Sequence, residues 1–272
     1  MSQPIERLRA IGLWKIPHSP AGTDGYGAGQ QDFEPTTSGP RMTVDRKFLP
    51  RLPGSPRLWA MLCAACICAY GFFAITDYVF DDGRAGKAGP VGFDQPVAEF
   101  LQRDRSAALT GRVIEVSALG SAPVLAMLGV LAYSVILRTR DRLGFLHLSI
   151  VLTGASVLSR LLQGLFERER PDGLLPCIVV TKGSFPSAHL FGATACYLTF
   201  AFFYARYASR LGAQVACYVA ASAVILLIGT TRVYLGAHHA TDVMAGIAAG
   251  GAWAFVVAAI FSIWYRPTGL RP

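Results

Sequence analysis

Residues 211–242 read LGAQVACYVAASAVILLIGTTRVYLGAHHATD. The first part, Leu211–Thr231, carries no charged side chain. Roughly 20 apolar residues are what a helix needs to cross the hydrocarbon core of a bilayer. In lipid the backbone must satisfy its own hydrogen bonds, so such a segment is a helix and not a strand. The stretch then runs directly into Arg232, His238 and Asp242. Ionisable groups at a membrane boundary are costly unless they have a partner or a task. One segment therefore announces both a spanning helix and a polar constellation at its edge.

The apolar pattern recurs. Spans are expected at about 58–76, 116–137, 143–166, 187–207, 211–231 and 243–265. The third is uncharged only over Leu143–Ser159 and reaches Phe166 through Arg160, which must then face protein or water. Of the 272 residues, 53% are hydrophobic and 15% charged, against about 25% charged in soluble domains. The expected fold class is an all-α polytopic membrane protein, a bundle of six transmembrane helices over 58–266, with tails at 1–57 and 267–272. Residues 1–57 are rich in Gly, Pro, Ser and Thr and cannot bury a core, so a disordered basic tail is expected. They hold no continuous apolar run, so no cleavable signal peptide is expected either.

The formal charge of +8 does not point to nucleic acid, because the positive-inside rule accounts for it. Arg138, Arg140, Arg142, Arg206 and Arg210 share one side with the basic tail if six spans are counted. That places both termini in the cytoplasm. A bacterial inner membrane is the expected setting, with membrane lipids as neighbours. The loop after the first span, with Arg84, Lys87, Arg103, Arg105 and Arg112, blurs the bias. In that loop Asp94–Arg105 sets Phe93, Val97, Phe100 and Leu101 on one helical face. This suggests either a helix on the outer membrane surface or one packed on the bundle. Cys63, Cys66 and Cys68 lie inside the first span and read as packing residues rather than a metal cluster. Gly246-x-x-x-Gly250 reads as ordinary close helix packing.

Three short motifs fall at outward ends of the spans: Arg170-Pro171, Pro186-Ser187-Ala188-His189, and Thr231-Arg232 followed by His238 and Asp242. At a helix start, His238 and Asp242 lie about one turn apart on one face. A carboxylate on one imidazole nitrogen leaves the other free to attack. The same pair also describes a helix-start histidine stabilised by an acid. Ser187 and Ala188 open a helix whose free N–H groups suit an anion, and His189 can protonate a leaving alkoxide. Ser187 alone would equally be a simple N-cap. Arg170 and Arg232 suit forked contacts to phosphate oxygens. Arg160, Arg168 and Lys182 read as interfacial arginine and lysine that snorkel.

In this order and spacing the motifs resemble those of the type 2 phosphatidic acid phosphatase superfamily, integral-membrane lipid phosphatases with the pattern Lys-x6-Arg-Pro, Pro-Ser-Gly-His, Ser-Arg-x5-His-x3-Asp. The resemblance covers roughly 58–266. It implies His238 as a nucleophile forming a phosphohistidine, Asp242 as its orienting group and His189 as acid then base. Arg170, Ser187, Ala188 and Arg232 would hold the phosphate, with no metal or cofactor. The chain departs at Thr231 for Ser, Ala188 for Gly and Gln163 for Lys. The last removes a cation from the phosphate cradle, and Arg160 or Lys182 is placed to replace it. The expected function is hydrolysis of a lipid phosphate or diphosphate monoester on the non-cytoplasmic side. The alternatives are transfer to an acceptor other than water, or a non-catalytic lipid-binding or lipid-moving relative.

Overall fold

The computed structural model describes residues 55–80, 89–166, 168–171 and 183–265, all within one compact unit, 45–272. Among these residues there are eight helices and no strand. They are α1 (Pro56–Phe80), α2 (Asp94–Gln102), α3 (Ala107–Ala118), α4 (Ala122–Thr139), α5 (Arg142–Leu165), α6 (Ala188–Tyr207), α7 (Leu211–Tyr234) and α8 (Ala240–Trp264). Six of them, α1 and α4 to α8, are long and apolar enough to cross a membrane. The all-α class and the count of six agree with the sequence. Apart from 55–57, the expected tails lie outside the described residues, as does Lys182.

The expected span 116–137 is corrected. It is two pieces, α3 ending at Ala118 and α4 beginning at Ala122. Ser121 has extended backbone, and proline stands in the first turn of α4, a place proline tolerates while a helix interior does not. Gly120 belongs to the break for a packing reason: a Cβ there would stand 2.8 Å from His189 Nε2.

The junction of the last two spans is also shifted. α7 continues to Tyr234 and α8 starts at Ala240, so Arg232 lies in the last turn of α7 and Asp242 in the first turn of α8. His238 sits in the turn between them rather than at the opening of the last helix. Gly236, at φ 69°, makes that turn possible.

α6 and α8 form the centre of the bundle. Over half (56%) of the apolar stretch of each is buried, against 17% for α1, α4 and α7. They meet through the two glycines: a Cβ on Gly246 would lie 2.6 Å from the Ser187 carbonyl oxygen, and one on Gly250 2.5 Å from that of Phe191. Small residues at such crossings let backbones touch. Here the touching backbone includes a motif residue, Ser187. Outward faces carry large apolar side chains, such as Met127, Val130 and Leu131 on α4 and Val215, Val219 and Leu226 on α7, as lipid-facing surfaces should.

α2 is packed on the bundle. Val97, Ala98 and Leu101 join Leu190, Val233 and Val243 in one apolar cluster. Phe93 and Phe100, expected on the same face, remain exposed. Gln102 Nε2 donates to the Val233 carbonyl at 2.9 Å, and the Arg105 guanidinium donates to that of Tyr234, which ties α2 to the end of α7. Next to the motif loop, fully buried Phe185 is clasped by Phe72, Phe80 and Phe166, with ring centroids 6.2, 5.2 and 5.6 Å away. Aromatic pairs at these separations add about 0.5–1.5 kcal/mol each beyond area burial. They fix the segment leading to Ser187.

Candidate active site

A cavity of about 700 Å³ opens where α5 ends, α6 begins and α7 ends. Its wall brings together Gln163, Arg170, Ala188, His189, Arg232 and His238, with Arg160 beside them. The rest of its lining is mostly apolar, with Leu125, Ala126, Leu152, Ala155 and Gly192, and includes the hydroxyl residues Ser156 and Ser159. Ser187 and Asp242 do not line it; both are fully buried behind the polar wall.

The loops that carry the motifs are cross-linked by backbone bonds. Ser184 N–H donates to the Arg168 carbonyl at 2.9 Å, and Ser187 N–H to that of Asp242 at 3.0 Å. The second bond joins the start of α6 to the start of α8. Ser187 acts as the N-cap of α6, its Oγ accepting from Leu190 N–H at 3.4 Å. Ala188 and His189 follow as the first residues of the helix. Ala188 is not among the positive-φ residues, so its methyl causes no backbone strain.

His238 is 3% exposed. Its Nδ1 lies 2.9 Å from the Ser184 carbonyl oxygen, which fixes the tautomer: Nδ1–H donates, and Nε2 is the nitrogen left for a ligand in the cavity. Asp242 Oδ2 is 3.7 Å from the same Nδ1, beyond hydrogen-bond reach. A backbone carbonyl, not the carboxylate, is the nearest orienting group. Burial pushes the His238 imidazole down to about 4; Asp242 works against this, while Arg232 and Arg170 add to it. The imidazole is therefore neutral, with a lone pair, at ordinary pH.

Asp242 is held by other groups. Its Oδ2 accepts the His239 N–H at 2.9 Å in a capping box at the start of α8. Its Oδ1 accepts from Arg168 at 2.6 Å. Arg168 is not an interfacial snorkelling residue, and that expectation is corrected: its side chain has no exposed surface. The guanidinium also reaches Thr241 Oγ1 at 2.7 Å, the Gly89 carbonyl at 2.9 Å and Asp94 Oδ2 at 2.8 Å. Asp94 in turn accepts from Thr241 N–H at 2.8 Å and Oγ1 at 2.9 Å, and from Val91 N–H at 3.1 Å. A buried guanidinium in low dielectric needs this degree of pairing.

The two motif arginines are positioned through backbone oxygens and hydroxyls. Arg170 donates to the carbonyls of Ala237 at 2.6 Å and Gly183 at 3.1 Å. Burial lowers its pKa from the ordinary guanidinium value, with Asp242 opposing. Arg232 donates to Ser117 Oγ at 3.2 Å, and its buried Nε–H has no partner among the described residues. An unsatisfied buried donor beside a polar cavity calls for an acceptor. His189 Nε2 lies 2.9 Å from the Ser117 carbonyl, so one residue at the end of α3 holds both His189 and Arg232. Gln163 donates to the Pro186 carbonyl at 3.2 Å, bracing the loop before α6. Arg160 has no hydrogen bond or ion pair among the described residues and borders the same cavity.

Sequence reading missed Ser117, Ser184, Asp94 and Thr241, and misread Arg168. Ser184 acts through its carbonyl, which no side-chain pattern reveals. Ser117 was hidden inside an expected span. Arg168, two residues before Arg170, was visible as a charge, but its sequence does not tell burial from snorkelling.

Residues 144–266 match the PAP2 superfamily model. Phosphatidylglycerophosphatase B of Bacillus subtilis (strain 168) is 35% identical over 95 residues, covering 35% of this chain and 46% of the relative. Lipid A 1-phosphatase of Rhizobium etli is 31% identical over 127 residues, 43% of this chain and 50% of the relative. The chain thus spans about half the length of the curated relatives it matches. The crystal structure of a transmembrane PAP2 type phosphatidylglycerolphosphate phosphatase from Bacillus subtilis superposes with a TM-score of 0.62 at 24% identity, covering 71% of this chain and 94% of that one. That likeness is one of fold. Gln163, Arg170, Ser187, Ala188, His189, Arg232, His238 and Asp242 all fall inside 144–266, the part of this integral membrane protein that matches the PAP2 superfamily.

Proposed function

We propose that the chain hydrolyses a lipid phosphate or diphosphate monoester without a metal, through a phosphohistidine on His238. The observation that carries this reading is the arrangement of His238: Nδ1 is occupied by the Ser184 carbonyl, and the ring lines the cavity shared with Arg170, Arg232 and His189. The names of the relatives, a phosphatidylglycerophosphatase and a lipid A 1-phosphatase, support a lipid phosphate as the substrate class. So does the division of the cavity into a cationic end for the headgroup and an apolar wall for the chain.

The chemistry balances as two displacements. The Nε2 lone pair of His238 attacks phosphorus, the bond to the lipid oxygen breaks, and His189 gives that oxygen a proton. Water then attacks the phosphohistidine with His189 taking its proton, the N–P bond breaks, and inorganic phosphate leaves. Arg170, Arg232 and the first amides of α6 hold the equatorial oxygens. Arg160 supplies the cation that Gln163 does not. The site end of the bundle is opposite Arg138, Arg140, Arg142, Arg206 and Arg210, and the positive-inside rule then supports a reading with the site on the non-cytoplasmic face and both termini in the cytoplasm.

The test is phosphate release from a panel of phosphatidic acid, phosphatidylglycerophosphate, polyprenyl diphosphate and lipid A in detergent with EDTA, for wild type and His238→Ala. Release that persists in EDTA and vanishes in the variant is the expected result. No release from any substrate, or release that survives His238→Ala, overturns it. Gln163→Lys, compared with Arg160→Ala, is expected to change KM several-fold in opposite directions, since charged hydrogen bonds are roughly twice as strong as neutral ones.

A further inference from the structure

In the Asp94–Arg168–Asp242 chain only Asp242 belongs to the motif pattern; Asp94 and Arg168 lie outside it. Each of its three side chains is essentially removed from solvent. Arg168 offers one face of its guanidinium fork to α8, through Thr241 Oγ1 and Asp242 Oδ1, and the other to Asp94 and the Gly89 carbonyl. Asp94 closes the loop by accepting both the N–H and the hydroxyl of Thr241. Four side chains and the Gly89 carbonyl, from three parts of the chain, thus define where the first turn of α8 sits.

The arrangement also decides which partner Asp242 serves. With Oδ1 on Arg168 and Oδ2 on the His239 N–H, the carboxylate stays 3.7 Å from His238 Nδ1, and the Ser184 carbonyl takes that proton instead. We propose that Arg168, held in turn by Asp94, is a positioning residue of this site: it fixes the Asp242 carboxylate at the head of α8 and so sets its distance from His238. Its relevance to turnover rests on His238 being the nucleophile; the geometry it maintains does not.

The charged and titratable groups facing His238 are Asp242 on α8, the adjacent His239, Arg232 at the end of α7, Arg170 from the preceding loop and His189 on α6. Removing Arg168 releases Asp242 from its strongest partner and lets it swing toward the imidazole. A freed carboxylate nearby favours the imidazolium form. Removing the charge of Asp94 takes one carboxylate away from Arg168 and leaves its bond to Asp242 in place.

The experiment is a pH titration of the full-length protein in detergent micelles, with ¹⁵N-labelled histidine and the His238 resonance assigned by its loss in His238→Ala. Arg168→Met, Arg168→Lys and Asp94→Asn are compared with wild type. Arg168→Met is expected to raise the His238 midpoint by on the order of one pH unit. Arg168→Lys should restore most of the wild-type value, and Asp94→Asn should leave it equal or lower. A midpoint unmoved in Arg168→Met, or moved equally by Lys and Met, overturns the proposal. If Arg168→Met does not fold, Arg168→Lys and Asp94→Asn decide: midpoints moved upward in both overturn it, and one held near or below wild type in both supports it. Turnover on the lipid panel is read in parallel. Loss of the midpoint effect with His238→Ala inactive defeats the positioning inference alone; turnover surviving His238→Ala defeats the nucleophile reading alone.

Discussion

At the end of the bundle opposite the cavity, His147, Tyr265, Arg206 and Asp141 assemble from the same residue types as His238, Thr241, Arg168 and Asp242: a histidine, a hydroxyl, an arginine and a carboxylate. His147 is fully buried. Its ring is walled by Phe261, Phe203 and Phe202, with centroids 4.8, 5.0 and 5.2 Å away, and its Nδ1 meets Tyr265 Oη at 3.2 Å. Arg206 lies over the Tyr265 ring and pairs with Asp141 at 3.3 Å. Here aromatic rings pack against the imidazole, and its buried Nε2 has no hydrogen-bond partner among the described residues. At the other end one wall of the histidine is a cavity carrying Arg170 and an unsatisfied Arg232 Nε–H. The difference lies in what the fold leaves unfilled, not in the residues chosen.

The sharpest break of this comparison is His238→Ala, which should lower phosphate release by roughly 10³-fold or more, since nothing else in the wall replaces the proposed nucleophile. Arg232→Ala follows. With one donor to the developing charge removed, kcat should fall by about 10²–10³-fold while the protein stays folded, as judged by an unchanged circular dichroism spectrum. A pH profile sharpens the contrast. On the proposed mechanism His238 must be neutral to attack, and burial holds it down to about 4. The free enzyme's kcat/KM should therefore be flat on its acid side until about pH 4 and then fall tenfold per unit; an acid limb near 6.5 would assign the step to another group. The smallest effect on turnover belongs to His147→Phe. It should leave kcat/KM within about twofold but lower thermal stability, because a buried polar contact is lost and the packed ring must be accommodated.

Much of the fold was legible because lipid imposes a length and a polarity on every crossing. Leu211–Tyr234 and Ala240–Trp264 differ from expectation only at their ends, where capping decides and hydropathy does not. The break at 119–121 escaped notice because its residues are all apolar or small. Ser121 followed by Pro123 was the available signal, since proline near a helix start marks a boundary. The motif residues were legible through their spacing. Their supports were not. Ser184 and Ser117 contribute carbonyl oxygens, and Asp94 comes from a helix more than seventy positions away from its partner Arg168. Long-range ion pairs of this kind leave no periodic trace.

The contact between Gly246 and the Ser187 carbonyl has a consequence for anyone trying to make this protein more robust. Replacing a helical glycine with alanine is a common stabilising substitution, worth about 0.4–1 kcal/mol where the backbone permits it. At Gly246 the added methyl would lie 2.6 Å from the Ser187 carbonyl oxygen. It would wedge α8 away from α6 and strain the bond between Ser187 N–H and Asp242 O. A consensus-style thermostabilisation campaign would thus loosen the cavity end of the bundle through a residue with no side chain at all.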